Sequence, residues 1–323
     1  MEMGFWKNLS AQGGSASGGK KPIMVMAPMS GVSDEVFRLM LLKYGAPDAF
    51  WTEFVSVDGL FSRGRDYCLG VLKHSKKIKP IVAQFFGSSP ENFKKAAMLA
   101  YELGFDGIDI NMGCPDSAIE KQGGGSSLIK NPELAVEIIR AVKKGAGKIP
   151  VSVKTRIGYK GNEIKKWIPL ILKEEPAVLT IHFRSRNEQY APPAHWELAE
   201  EIVKMRNEIS PKTLIFGNGD VTSLKQAKEL AKKYNLDGVM VGRGLVGNPW
   251  FFADREPELK ERLNAIIEHA ELFTAKDFNS LKKHFHSYAK GFRGSREFRE
   301  RLMKVKNLDE TKKVIFDFLS NVC

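Results

Sequence analysis

Cysteine is scarce in this chain. Cys68, Cys114 and Cys323 are the only three, far apart and without a CxxC pair, which argues against both a disulfide framework and a structural zinc site and favours a reducing, cytoplasmic setting. Long hydrophobic runs are missing too. None nears the roughly 18 residues of a membrane span, and the opening MEMGFWKNLS lacks a signal-peptide apolar region before AQGGSASGGK. A soluble protein is expected, with residues 1–20 a flexible tail. Acidic residues are in deficit: 38 Asp and Glu face 50 Lys and Arg, a net charge of +12. That surplus points to a polyanionic partner, with nucleic acid ahead of a merely solvated surface.

What the chain does have is alternation. Eight apolar or β-branched runs, PIMVMA (22–27), DAFWTEF (48–54), PIVAQFF (80–86), GIDIN (107–111), PVSVKT (150–155), AVLTIHF (177–183), TLIFGN (213–218) and GVMVG (238–242), are separated by amphipathic stretches. One of these, NPELAVEIIRAVKKG, opens on an Asn–Pro start signal and stops at Gly145. Eight rounds of strand and helix predict an α/β chain folded as a (β/α)8 TIM barrel rather than an open sheet.

Active sites in such barrels lie at the C-terminal strand ends. Strand one delivers Pro28 and Met29, strand two ends near Glu53, strand three at Gln84, and strand four at Asn111 with Cys114 just beyond. Strand five carries Lys154 and Arg156, strand six His182 and Arg184, strand seven Asn218-Gly219-Asp220, and strand eight Gly242-Arg243. One polar strand end is a cap, whereas a ring of them around one mouth points to an enzyme. GNGD and VGRGLVGNP fall where barrels commonly bind phosphate through backbone N–H groups, and Arg243 adds a suitable guanidinium. Gly242 to Gly247 also fits G-x-G-x-x-G. No strand follows to carry an acidic ribose ligand, so the dinucleotide reading fails while the anion site survives.

Lys154 reads either as a Schiff-base lysine or as a charged donor to an electron-rich cofactor. Gln84 and Asn111 favour the second, since amides suit the edges of a heterocycle such as a flavin or a nucleobase. His182, beside Lys154, Arg156 and Arg184, reads as functional rather than as core. Cys114 lies in INMGCPDSAIEKQGGGSSLI (110–129), in a turn between Gly113 and Pro115. On those residues alone a partly buried loop thiol and a reactive one stand level.

The segments VMAPMSGVSD, IVAQFFG, IDINMGCPDSAIEKQGGGSSLI, VSVKTRIG, TIHFRSR, FGNGDV and VMVGRGLVGNPWFF occur in the order found in the tRNA-dihydrouridine synthases. The chain resembles that family from about Pro22 to Phe318, through YAKGFRGSREFRERLMKVKN. The resemblance implies an FMN enzyme that reduces the C5=C6 bond of selected uridines in tRNA, with NADPH as electron donor. It implies flavin contacts at Pro28, Met29, Ser30, Gln84, Lys154 and His182, and a phosphate end at Asn218, Gly219, Asp220, Gly242 and Arg243. Cys114 matches the catalytic cysteine and Asn111 the asparagine near the base, with Arg156 and Arg184 as further substrate candidates. Hydride would pass from flavin N5 to C6 and a proton from Cys114 to C5. A thiol of ordinary pKa, roughly 8.5, is mostly protonated at neutrality yet able to release its proton. One departure is Phe183, where the family more often has glycine, so the loop after strand six is expected to shape the pocket differently.

From Lys276 to Lys313 there are 12 basic residues against 5 acidic, more than half of the chain's excess. Leu259, Leu263, Ile266, Ile267, Ala270 and Phe273 form one apolar face and Leu281, Phe285, Tyr288 and Phe292 another, predicting a small helical bundle. Its charged side, including Lys290, Arg293 and Arg296, is either a solvated face or, as the resemblance implies, the surface that holds tRNA. The expected layout is a tail (1–20), an FMN-binding catalytic barrel (21–252) and a helical tRNA-binding domain (253–323), monomeric and without a membrane partner. Two rivals stand beside it, with a lysine-dependent barrel aldolase a distant third. An FMN barrel acting on a free pyrimidine, like dihydroorotate dehydrogenase, has no need of a basic helical tail. A catalytically silent RNA-binding barrel has no need of Cys114 and Lys154.

Overall fold

A computed structural model describes residues 2–11, 21–273 and 278–322. Eight strands form one parallel sheet: β1 (Ile23–Met26), β2 (Phe50–Ser56), β3 (Ile81–Phe86), β4 (Gly107–Met112), β5 (Val151–Arg156), β6 (Val178–His182), β7 (Leu214–Asn218) and β8 (Gly238–Val241). Each lies beside its sequence neighbour and β1 pairs with β8. The ring shuts where β1 meets the chain entering β2. There Val25 bridges Ala49, Met26 N–H donates to the Ala49 carbonyl at 3.3 Å, and Asp48 N–H donates to that of Met24 at 2.8 Å. The predicted TIM barrel is present, and all eight apolar runs are its strands.

Barrel strands pack against side chains inside and helices outside, so they read as unbroken apolar runs. β1, β4, β6 and β8 are buried at every position. The helix predicted from the Asn–Pro signal spans Pro132–Gly145, with the Asn131 side chain accepting from Leu134 N–H. It turns Ala135, Ile138, Ile139 and Val142 inward at helical spacing.

The expected tail is corrected over its first half. Phe5–Ala11 is a helix whose Trp6 is 1% exposed, its ring 5.8 Å from Trp51 and 5.5 Å from Phe216 in the barrel interior. It caps the end where the strands begin, with Phe5 near Gly107 and Gly4 against Pro150. Burial of so large an aromatic anchors this helix of seven residues to the barrel. Residues 12–20 lie outside the described residues.

Beyond the turn Phe251–Ala253 come the helices Leu259–Leu272, Lys282–Tyr288, Ser295–Leu302 and Leu308–Val322. Of the predicted stripes, Leu263, Ile266, Ala270, Leu281, Phe285 and Tyr288 are buried, and Leu259, Ile267, Phe273 and Phe292 pack at their edge. Their core is continuous with the barrel's. The helix Glu35–Tyr44 makes the junction: Tyr44 Oη donates to Glu268 at 2.6 Å, and Lys43 pairs with the same carboxylate at 2.6 Å. Among the described residues no helix is long and apolar enough to cross a membrane.

Candidate active site

A cavity of about 600 Å³ opens at the C-terminal end of the barrel, within the usual roughly 300–1,000 Å³ of ligand pockets. Of the predicted residues, Pro28, Met29, Gln84, Asn111, Cys114, Lys154, Arg156, His182, Asn218, Gly219, Asp220, Gly242 and Arg243 line it. Five others lie elsewhere. Ser30 is exposed outside the cavity, and buried Ser33 shapes that loop, its hydroxyl accepting from Met29 N–H at 2.8 Å. Arg184 is buried behind His182, and Lys290, Arg293 and Arg296 are exposed on the helical region.

The turn around Cys114 is held through its backbone atoms. Asn111 Oδ1 accepts from the N–H of Gly113 at 3.1 Å and of Cys114 at 2.9 Å. The Cys114 carbonyl accepts from Ser126 N–H at 2.9 Å and from its hydroxyl at 2.8 Å. Gly125, at φ +60°, allows this approach, since a Cβ there would stand 2.7 Å from the Cys114 carbonyl oxygen. Burial pushes the Cys114 thiol above its ordinary pKa, so it stays protonated at neutral pH.

Arg156, expected at the substrate, lines the cavity and also braces this wall. Its Nε donates to the Gly113 carbonyl at 2.7 Å, and one terminal nitrogen donates to Ser185 at 2.9 Å and Gln189 at 3.1 Å. Three of its five N–H groups are thereby committed. Gln84 and Asn111, expected at a heterocycle edge, first orient each other. Asn111 Nδ2 donates to Gln84 Oε1 at 3.0 Å, and Gln84 Nε2 donates to Asp109 at 2.5 Å. Asp109 also accepts from Ser152 Oγ at 2.6 Å, yet burial raises its pKa to about 6. Each amide keeps one uncommitted N–H.

The opposite flank is ionic. Lys154 Nζ donates to Asn218 Oδ1 at 3.1 Å, and Asn218 Nδ2 to the Met240 carbonyl at 2.7 Å. Burial, then neighbouring Arg156, lowers Lys154 to about 8. Burial, with the cations of Arg156, Lys154, Arg184 and Arg243, drives His182 well below its ordinary value and leaves it neutral. Its Nε2 faces an Arg184 N–H at 3.2 Å, so the ring hydrogen belongs on Nδ1. Arg184 also donates to the Pro192 carbonyl at 2.6 Å and to Asp220, which corrects its expected place at the substrate: all three nitrogens serve the protein. Asp220 in turn accepts from Arg243 at 2.7 Å and from Ala194 N–H at 3.0 Å. Burial pushes Asp220 up, but the Arg184 and Ala194 bonds and the two guanidinium charges bring it below the ordinary carboxylate range.

The sequence reading missed Tyr190. Its ring, 53% exposed, has the guanidiniums of Arg156 at 5.6 Å and of Arg243 at 5.1 Å from its centroid. The only hint was one aromatic in the polar stretch RSRNEQYAPP. Phe183 itself does not face the pocket. It is fully buried, 4.9 Å from the ring of Trp196, and does not line the cavity.

The family model described as Dihydrouridine synthase (Dus) matches residues 25–322. A protein of Bacillus subtilis (strain 168) named "Probable tRNA-dihydrouridine synthase 2" is 40% identical over 98% of this chain and 97% of its own length. One of Staphylococcus aureus (strain MRSA252), named "Probable tRNA-dihydrouridine synthase", is 39% identical over 98% and 96%. Among solved structures, morphinone reductase superposes with a TM-score of 0.52 at 14% identity, covering 73% of this chain and 87% of its own. A variant of NCR from Zymomonas mobilis does so with 0.51 at 18% identity, covering 74% and 88%. At such identities these two structures speak for the barrel fold alone.

Proposed function

The chain belongs to the dihydrouridine synthase family, and on that premise we propose that it reduces selected uridines of tRNA to 5,6-dihydrouridine in the cytoplasm, as a monomer, with FMN in the cavity and NADPH as electron donor. The observation that carries this reading is a protonated, backbone-pinned Cys114 thiol in the same cavity as Lys154 and Arg243.

The donor set suits the cofactor. Ala27, Pro28, Met29 and Met240 offer apolar surface to a flat ring system, Lys154 a cation for its electron-rich edge, and Arg243 a guanidinium for its phosphate. When bound and reduced, the flavin supplies the hydride for C6 of the uracil. Cys114 supplies the proton for C5. Burial keeps that proton on sulfur until it is needed, and Asn111, Ser126 and Arg156 fix the backbone from which it is delivered. The thiolate left behind is eased by the positive charges of Arg156 and Lys154. The uncommitted N–H of Asn111 is the donor assigned to a carbonyl of the base.

A uridine stacked in tRNA must be extruded first, which costs a few kcal/mol. Phosphate contacts to Lys290, Arg293 and Arg296 on the helical region offset that cost, so binding should weaken steeply with salt. Residues 21–252, together with the helix Phe5–Ala11, then form the catalytic unit, and residues 253–323 hold the RNA. The test is dihydrouridine content, mapped by position, in unmodified tRNA incubated with the purified protein, FMN and NADPH. New dihydrouridine at defined positions supports the reading. A flavin that NADPH reduces, with turnover of free pyrimidine but none of tRNA, overturns it in favour of a free-pyrimidine reductase.

A further inference from the structure

The loop after β8 runs Gly242-Arg243-Gly244-Leu245-Val246-Gly247, and its last glycine has no room for a side chain. Gly247 sits at φ +65°, and a Cβ there would come 2.5 Å from Ser287 Cβ and 2.8 Å from the His284 carbonyl oxygen. The helix Lys282–Tyr288 therefore lies directly on the loop that carries Arg243. This contact, not a dinucleotide, accounts for the glycine.

At the contact, Gly247 N–H donates to His284 Nδ1 at 3.3 Å, while His284 Nε2 lies 3.3 Å from the Val32 carbonyl in the loop after β1. The two partners settle the ring's state: Nδ1 accepts, so the hydrogen belongs on Nε2 and is donated to Val32. The ring is 2% exposed, with its centroid 4.3 Å from that of Phe37 on the barrel and 4.8 Å from that of His269. The preceding residue reaches the same loop, since a Cβ on Gly31 would meet Lys283 Nζ at 2.7 Å. One short helix thus touches both loops that frame the cavity, the β1 loop with Pro28 and Met29 and the β8 loop with Gly242 and Arg243.

We propose that His284 is a positioning residue whose two ring nitrogens tie the helical region to the loops after β1 and β8, so that the RNA-holding surface and the loop bearing Arg243 move as one body. The proposal deepens the functional reading above and rests on it for the meaning of both surfaces. Chemically, the site needs an acceptor on one edge and a donor on the other, within an apolar gap. A neutral imidazole supplies both. Asparagine reaches only the Gly247 side and glutamine only the Val32 side, while phenylalanine fills the volume and supplies neither.

Those three substitutions make the test. His284→Asn, His284→Gln and His284→Phe are compared with the parent by backbone amide exchange of residues 242–248, by the rate of flavin release, and by KM for tRNA against kcat. Exchange should quicken roughly five- to tenfold in His284→Phe and His284→Gln, as loss of one hydrogen bond implies, and stay near parental in His284→Asn. Flavin release should follow the same order. KM for tRNA should rise several-fold in His284→Phe while kcat at saturation changes less than about twofold. If His284→Asn behaves like His284→Phe, the ring is mere filler and the proposal fails. It fails equally if all three variants keep parental exchange and KM. Should His284→Phe not fold, the contrast between asparagine and glutamine decides alone. Exchange needs neither flavin nor RNA, so a protein that exchanges as expected yet makes no dihydrouridine supports the tie and overturns the activity instead.

Discussion

The two flanks of the cavity are held by different kinds of force. Around Cys114, on the β4 side, amide, hydroxyl and guanidinium groups bind backbone atoms of the turn, and burial, helped by the charge of nearby Asp116, keeps the proton on the thiol. On the β7–β8 side, Arg184, Asp220 and Arg243 form a ladder of ion pairs between side chains. The contrast follows from what each flank must hold. A proton donor has to stay neutral, and bonds to its backbone aim it without charging it. An anion site needs a cation pointed in a fixed direction, and Asp220 fixes one guanidinium by using the other as a buttress. Burial acts on both flanks with opposite results, raising the Cys114 thiol and lowering Lys154. It keeps a proton on one and loosens it on the other.

Cys114→Ala breaks the comparison most sharply. Single-turnover reduction of tRNA should slow at least roughly a hundredfold, the lower end of what general acids contribute. Flavin content and its reduction by NADPH should not change, because the lost group belongs to the proton flank alone. Reduction of tRNA at the parental rate would remove the proton-donor role. Arg243→Ala attacks the other flank. Loss of one charge-assisted hydrogen bond, worth about 1.5–3 kcal/mol, should weaken FMN binding roughly ten- to hundredfold. Once saturated with FMN, that variant should reduce tRNA within a few-fold of the parent. Titration by flavin fluorescence decides, and unchanged affinity would displace the phosphate from Arg243.

The strands and most of the cavity ring were legible because a closed parallel barrel imposes two simple rules. Its strands are mostly apolar, and its chemistry sits towards their ends. Within that ring, roles were harder to read than places. Arg156 and Arg184 stand at strand ends like any substrate contact. Yet Arg156's partners Gly113 and Ser185 and Arg184's partner Asp220 come from neighbouring loops that the closed ring brings near, and Pro192 comes from further along Arg184's own loop. The Asp109–Gln84–Asn111 chain joins two strands whose pairing gives no local signal. The helix Phe5–Ala11 escaped notice for a different reason. Seven residues are too few for a convincing period, and the Gly/Ser stretch after them suggested a tail where a buried tryptophan makes a cap.

Lys154 gives the subtlest contrast, because it joins the two flanks: it donates to Asn218 while its charge reaches Cys114. Burial brings it to about 8 from an ordinary 10.5. An anionic cofactor beside it favours the ammonium form and so raises that value when bound. Affinity contributed by the lysine is then complete below about pH 8 and declines as the pH climbs towards the bound-state value, by at most about tenfold per unit. Folding stability of the cofactor-free protein has the opposite sign. The unfolded chain holds the proton more tightly there, so the cost of burying the charge disappears as pH rises from about 8 towards 10.5. The measurement is FMN affinity at pH 7 and 9 for the parent, Lys154→Arg and Lys154→Met. Affinity of the parent should fall roughly three- to tenfold across that interval relative to Lys154→Arg, which stays charged, whereas Lys154→Met should bind weakly at both values. A parent-to-arginine ratio that does not move with pH would mean that the cofactor draws its cation from Arg243 alone, and that Lys154 serves only to position Asn218.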